Sequence, residues 1–141
     1  MITAIEKHLI ETAANKIDKA DARVDCFPDN VTSYKPKHVK SDVLVQYAGS
    51  VYTPLSAGVT KRSMLFEFRV VTRGYSGKSG AIMMLEKVIS AMWAYQPVIP
   101  NAQMSRLTVE KDGFVSTSEG IWQYFVRFKT DVIFSGEVSE N

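Results

Sequence analysis

From Arg62 to Tyr95 the chain reads as one long strand, RSMLFEFRVVTR, a tight loop, GYSGKSG, and one strongly apolar helix, AIMMLEKVISAMWAY. In the strand, Met64, Phe66, Phe68 and Val70 alternate with Leu65, Glu67, Arg69 and Val71. That period gives one core face and one mixed face, as in an antiparallel sheet covered on one side. The helix is expected over about 78–95, where Ala81, Ile82, Leu85, Val88, Ile89, Met92 and Trp93 form a broad apolar stripe. Glu86, Lys87 and Ser90 fall off that stripe, and Gln96-Pro97 ends it. A second long strand, 121–134, repeats the alternation, with Trp122, Tyr124, Val126, Phe128, Val132 and Phe134 on one side. Two strands of matching period are expected to be sheet neighbours.

The remaining segments are placed by what they can cover. Thr3-Ala-Ile-Glu6 has the spacing of a capping box, and Ile5, Leu9, Ala13 and Ile17 recur at helical intervals, so an amphipathic helix is expected over 3–19. Residues 21–27, DARVDCF, read as a short strand ended by Pro28, and 29–41 as an exposed loop with Lys35, Lys37, His38 and Lys40. VLVQYA at 43–48 is a strand broken at Gly49-Ser50. The segment 51–61, VYTPLSAGVTK, contains Pro54 and Gly58 and reads as a loop. It is unusually apolar for one, and Val51, Tyr52, Leu55 and Val59 either fold back on the core or meet another chain. An edge strand is expected over 102–112, a turn at Asp112-Gly113, a polar loop at 114–120, and a mobile acidic tail at 136–141. Strands therefore come in neighbouring groups. This argues for an α+β fold, a mostly antiparallel β-sheet with two helices packed on one face, built as a single domain over 1–141.

Composition narrows function mainly by exclusion. A net charge of +2 over 141 residues leaves no electrostatic footprint for nucleic acid. One cysteine, Cys26, forbids an intrachain disulfide and is expected to be a buried structural residue. No run approaches the roughly 20 apolar residues of a membrane span, and the N-terminus lacks the pattern of a signal peptide, so a cytosolic protein is expected.

The strongest chemical lead is Gly77-Lys78-Ser79, which sits between strand and helix as in a phosphate-binding loop. The leading glycine of that motif would fall at position 72, which is Thr72, and the order of elements does not suit a parallel nucleotide-binding sheet. The Gly74–Gly80 turn is thus left as the alternative reading, a small nucleotide- or ligand-binding domain, with sharp chain reversal as the simpler purpose of its glycines. His8 and His38 have no metal-ligand spacing, and His38 lies among lysines. Trp93, Trp122, Tyr124 and Phe128 could stack bases, but they fall on faces assigned to the core. No catalytic, cofactor or metal set emerges. That absence favours a protein that works through its surfaces.

The blocks MITAIEKHLIETAANKI, DVLVQYAGSVY, SMLFEFRVVTR, GAIMMLEKVISAM and WQYFVRFKTDV resemble small phage tail proteins of the tail terminator, or tail completion, type, in the branch of Mu-like phages and prophages. The resemblance spans about Met1–Phe134 and is most distinctive at Val43–Tyr52. It implies a non-enzymatic α+β subunit without cofactor that forms a homo-oligomeric ring, commonly a hexamer, on the end of the tail tube. Such a ring stops tube growth, docks the neck and head-completion proteins, and lets DNA pass without sequence readout. It also implies assembly in the host bacterial cytoplasm and residence in the virion tail. The apolar set Val51, Tyr52, Leu55 and Val59 is the expected oligomer interface.

Overall fold

The computed structural model describes residues 1–78 and 80–135. Ser79 of the Gly-Lys-Ser run and the tail 136–141 lie outside the described residues. The elements are α1 (Ile2–Lys16), β1 (Arg23–Cys26), β2 (Ser41–Ser56), β3 (Val59–Thr72), α2 (Ala81–Met92), β4 (Val98–Ile99), β5 (Ala102–Gln103), β6 (Thr108–Ser118) and β7 (Ile121–Ser135). Five strands form one sheet in the order β1-β2-β3-β7-β6, and β4 pairs with β5 in a small separate ribbon. All pairings are antiparallel except β1 with β2, which is parallel. The expected α+β class therefore holds.

β3 and β7 are adjacent along their whole length, from Val59↔Ser135 to Thr72↔Trp122, as their shared period requires. One face of the sheet carries Val43, Val45, Met64, Phe66, Phe68, Val70, Val126 and Phe128, and both helices pack there. α1 contributes Ile5, Leu9 and Ala13, and α2 contributes Met84, Leu85, Val88 and Met92. Phe68 and Phe128 meet edge to face with centroids 5.4 Å apart at the centre of this layer. Burying each such ring removes about 2–3 kcal/mol of apolar hydration.

Several local expectations are overturned. α1 starts at Ile2, with Met1 as its N-cap and no side-chain cap, so the Thr3–Glu6 capping box does not form. The Glu6 carboxylate accepts the backbone N–H of Tyr47 instead, at 2.7 Å, because a free strand edge offers an unpaired donor there. Gly49-Ser50 does not break the strand: β2 continues through a bulge between Tyr47 and Gly49, where Gly49 takes φ +125°. Residues 51–56 are consequently strand and not loop. Pro54 fits because β1 pairs only with 42–45, which leaves that stretch of β2 on an edge, where a missing N–H donor is tolerated.

Asp112-Gly113 is likewise no turn but the middle of β6. A Cβ on Gly113 would sit 3.2 Å from Cε1 of Phe125, so the glycine makes room for the ring facing it. The reversal comes at Glu119-Gly120, both at positive φ (53° and 80°), between the paired Ser118 and Ile121. Two consecutive positive-φ residues are what a tight hairpin of the primed type demands. Of the aromatics assigned to the core, only Phe128 is fully buried. Trp93 is 63% exposed because α2 ends at Met92, while Trp122 and Tyr124 are half-buried.

Candidate assembly surface

Beyond the helix layer the β2–β3 hairpin runs on as an arm. All eight residues 51–58 are exposed. In a strand, neighbouring side chains point to opposite faces. Exposure at every position therefore means that neither face is covered. The arm pairs Val51↔Ser63, Tyr52↔Arg62, Thr53↔Lys61 and Pro54↔Thr60, and it turns through Gly58 at φ +74°. β7 backs it on one side, ending opposite Val59.

Three of the four residues expected at an interface, Val51, Tyr52 and Leu55, are half or more exposed, and Val59 is intermediate. They do not fold back on the core. Ile133, opposite Lys61 on β7, is also exposed, at 61%, and belongs to the same arm. In the sequence Ile133 is marked only by falling out of phase with Val132 and Phe134. The base of the arm is rigidified by polar contacts: Arg62 Nε donates to Ser50 Oγ at 3.0 Å, Arg62 Nη2 lies 3.3 Å from Tyr47 Oη, and the guanidinium stacks over Tyr52. Burial alone would raise the Tyr47 phenol pKa, but the hydrogen bond with Ser50 and the Arg62 charge lower it overall.

At the opposite end of the sheet the outer face is closed by the 27–40 loop, and one carboxylate organises it. Asp42 is fully buried and accepts the N–H groups of Lys37 and His38 at 2.9 and 3.0 Å, together with the Tyr34 hydroxyl and Arg23 Nη2. The basic loop is thus tied by its backbone to a buried acid. Burial, reinforced by the hydrogen bond to Asp42, pushes the Tyr34 phenol pKa up. Asp25 is held below the ordinary carboxylate range: burial opposes this, but the Cys26 N–H and the Arg23 guanidinium outweigh it. Beside them Glu67, 3% exposed in its side chain, bridges Arg69 at 2.6 Å and Arg127 at 3.2 Å. Gln123 donates to the Val31 carbonyl at 3.0 Å, which draws the loop onto the sheet.

The Gly74–Gly80 turn closes on itself. Gly80 N–H donates to the Gly77 carbonyl, and Ala81 N–H to the Gly74 carbonyl. The Thr72 hydroxyl, standing where a phosphate loop needs its first glycine, also donates to the Gly74 carbonyl, at 2.8 Å. A phosphate cradle needs such N–H groups free to face the ligand. Gly80 has no room for a side chain, since a Cβ would lie 2.3 Å from the Ser76 carbonyl oxygen. Its glycine is therefore explained by close backbone approach.

The histidines bind protein groups. His8 Nε2 lies 2.6 Å from the Tyr95 hydroxyl, and His38 accepts Lys40 N–H at Nδ1, leaving Nε2–H to donate to the Lys19 carbonyl at 2.8 Å. Cys26 is exposed, contrary to the expectation of a buried thiol, because β1 is an edge strand; partial burial and neighbouring Asp25 raise its pKa. Among the described residues no three His, Cys, Asp or Glu side chains gather as metal ligands, and no helix is long and apolar enough to cross a membrane. An open cleft of about 530 Å³ between the helices is lined by Lys16, Asp18, Asp21, Glu86 and Lys87, with Lys87 and Asp21 paired at 2.9 Å across it.

The family model described as Gp37 protein matches residues 16–141. No curated protein matches the sequence. Among solved structures, a chain from the virion of a native gene transfer agent particle is similar in fold, with a TM-score of 0.63 and 12% identity over 94% of this chain and 96% of that one. A second solved chain, 15% identical, gives a TM-score of 0.60 and covers 96% of this chain and 94% of its own.

Proposed function

Because this chain belongs to the Gp37 protein family, matched over residues 16–141, and shares its fold with a chain of a gene transfer agent virion, we propose that it is a structural subunit of a phage or prophage virion. More narrowly, it acts as a tail terminator: a homo-oligomeric ring, a hexamer by the Mu-like resemblance, that caps the tail tube and receives the neck proteins. DNA passes through its lumen without base readout. Assembly takes place in the host cytoplasm and the product resides in the virion tail. The observation that carries this reading is the arm at 51–58, exposed on both faces and bearing Val51, Tyr52 and Leu55. Apolar side chains held in water on a rigid projection are stabilised when another surface covers them. A subunit that works by docking needs such a projection and needs no catalytic set.

Light scattering and negative-stain electron microscopy of the purified protein, alone and with purified tail tubes, test this reading. Rings are expected in solution or at tube ends. A strict monomer that leaves tube ends bare would overturn it. Leu55→Asp is expected to abolish assembly while the subunit keeps its thermal midpoint, since Leu55 makes no part of the core.

A further inference from the structure

The arm has a matching surface on the same chain, at the other end of the sheet. Tyr75, Phe114, Trp122 and Tyr124 form one cluster beside the start of α2. The Tyr75 and Trp122 rings lie 4.9 Å apart, Phe114 and Tyr124 5.4 Å, and Phe114 and Trp122 6.2 Å. Tyr75 is 47% exposed and Phe114 52%. Clustered, partly exposed Trp, Tyr and Phe are the residue types that dominate protein contacts.

The arm is basic, whereas the patch carries mixed charge with one carboxylate, Asp112, on the face of its rings. From Val43 through Phe66 the chain carries Lys61 and Arg62 and no carboxylate. From Thr108 through Tyr124 it carries Glu110, Asp112 and Glu119 against Lys111 alone, with Lys35 Nζ 3.7 Å from Glu119 and Lys78 three residues beyond Tyr75. Asp112 pairs with Val126 and Phe114 with Tyr124, which puts the acid on the same face as the rings. β3 joins the two surfaces. It leaves the arm at Val59 and ends at Thr72 opposite Trp122, and 14 residues of strand span about 45 Å. One copy cannot fold its arm onto its own patch.

We propose that the arm of one copy, through Val51 and Leu55 with Lys61, docks on the Tyr75–Phe114–Trp122–Tyr124 patch of the next copy. This contact rests on the ring reading above and supplies its subunit interface. Two different surfaces meeting head to tail form a heterologous contact, which closes into a ring when the rotation permits. Aliphatic side chains cover the rings, and the lysine lies near Asp112 and the ring faces, where cation–π attraction adds to the Coulomb term.

The test uses two single variants of the full chain, Leu55→Asp and Phe114→Asp, checked for folding by circular dichroism and thermal midpoint. Wild-type assembly is first recorded by light scattering, or on tubes if it forms only there. Each variant alone is expected to fall to the 15.8 kDa protomer mass. Mixed one to one, they retain one intact arm and one intact patch, so a 1:1 heterodimer of twice that mass is expected, with no ring. If either variant fails to fold, Val51→Asp and Tyr75→Asp replace it. Phe114→Asp that still assembles while Leu55→Asp does not would overturn the proposal and give the arm another occupant, such as the tube protein. Both variants assembling, or a mixture that stays monomeric under the conditions in which the wild type assembles, would overturn it as well. A wild type monomeric under every condition removes the ring reading itself, a result distinguishable from all of these.

Discussion

Replacing Asp42 with alanine isolates the group that organises the 27–40 loop. The carboxylate is fully buried and accepts two backbone N–H groups, Lys37 at 2.9 Å and His38 at 3.0 Å, plus the Tyr34 hydroxyl and Arg23. The Arg23 side chain is 33% exposed and recovers water when its partner goes, so its share is discounted. The two charge-assisted backbone bonds are worth roughly 1.5 kcal/mol each, and the orphaned Tyr34 hydroxyl is partly rehydrated, so Asp42→Ala is expected to cost about 3 kcal/mol. For a domain of this size that lowers the melting temperature by roughly 6–12 °C. Urea unfolding measures it directly, as a lower midpoint at unchanged slope. Asp42→Asn keeps one acceptor oxygen and is expected to recover part of the loss. Asp29→Ala, an exposed acid in the same loop, is the control and should stay within about 0.5 kcal/mol. A loss below about 1 kcal/mol for Asp42→Ala, or an equal loss for the control, would refute the assignment of Asp42 as the anchor.

Three further outcomes follow from the geometry. Gly80→Ala forces a Cβ against the Ser76 and Tyr75 carbonyl oxygens at 2.3 and 2.5 Å, and should destabilise by about 1–3 kcal/mol in thermal melts, whether or not any nucleotide is present. Glu67→Ala leaves Arg69, 15% exposed in its side chain, without its carboxylate, and should cost about 3–5 kcal/mol in urea titration, more than Arg127→Ala on the solvent side. The raised Tyr34 pKa works against stability in alkali. The phenol's contribution is complete below its ordinary value of 10.0 and is lost as pH rises from there through the folded value, so wild type should lose more stability between pH 10 and 11 than Tyr34→Phe does.

The polar clusters show where pattern stopped being informative. Asp42 and Glu67 sit in strands whose alternation marks them only as outward-facing, and outward usually means wet. Here the outer face is covered at one end by 27–40, and no local rule tells that Val31, 92 residues away in sequence, will accept a hydrogen bond from Gln123. Trp122 and Tyr124 show the same limit: they keep the core period of β7, but α2, only Ala81–Met92 long, leaves them half-buried. Period reports which face a side chain takes, and only the packing reports whether anything covers that face.

What the sequence determined by itself is the part set by local periodicity: two long alternating strands forced to be neighbours, two amphipathic helices needing one sheet face, and hence the α+β class. It also flagged 51–59 as too apolar for an ordinary loop. The tertiary structure decided what those residues are. Pro54 and Gly58 read locally as chain breakers, yet β1 is only Arg23–Cys26, so β2 runs on as an edge where proline is tolerated and glycine makes the turn. Whether the segment folds back or projects depended on where the helices end, a property of the assembled layers that no stretch of chain encodes alone.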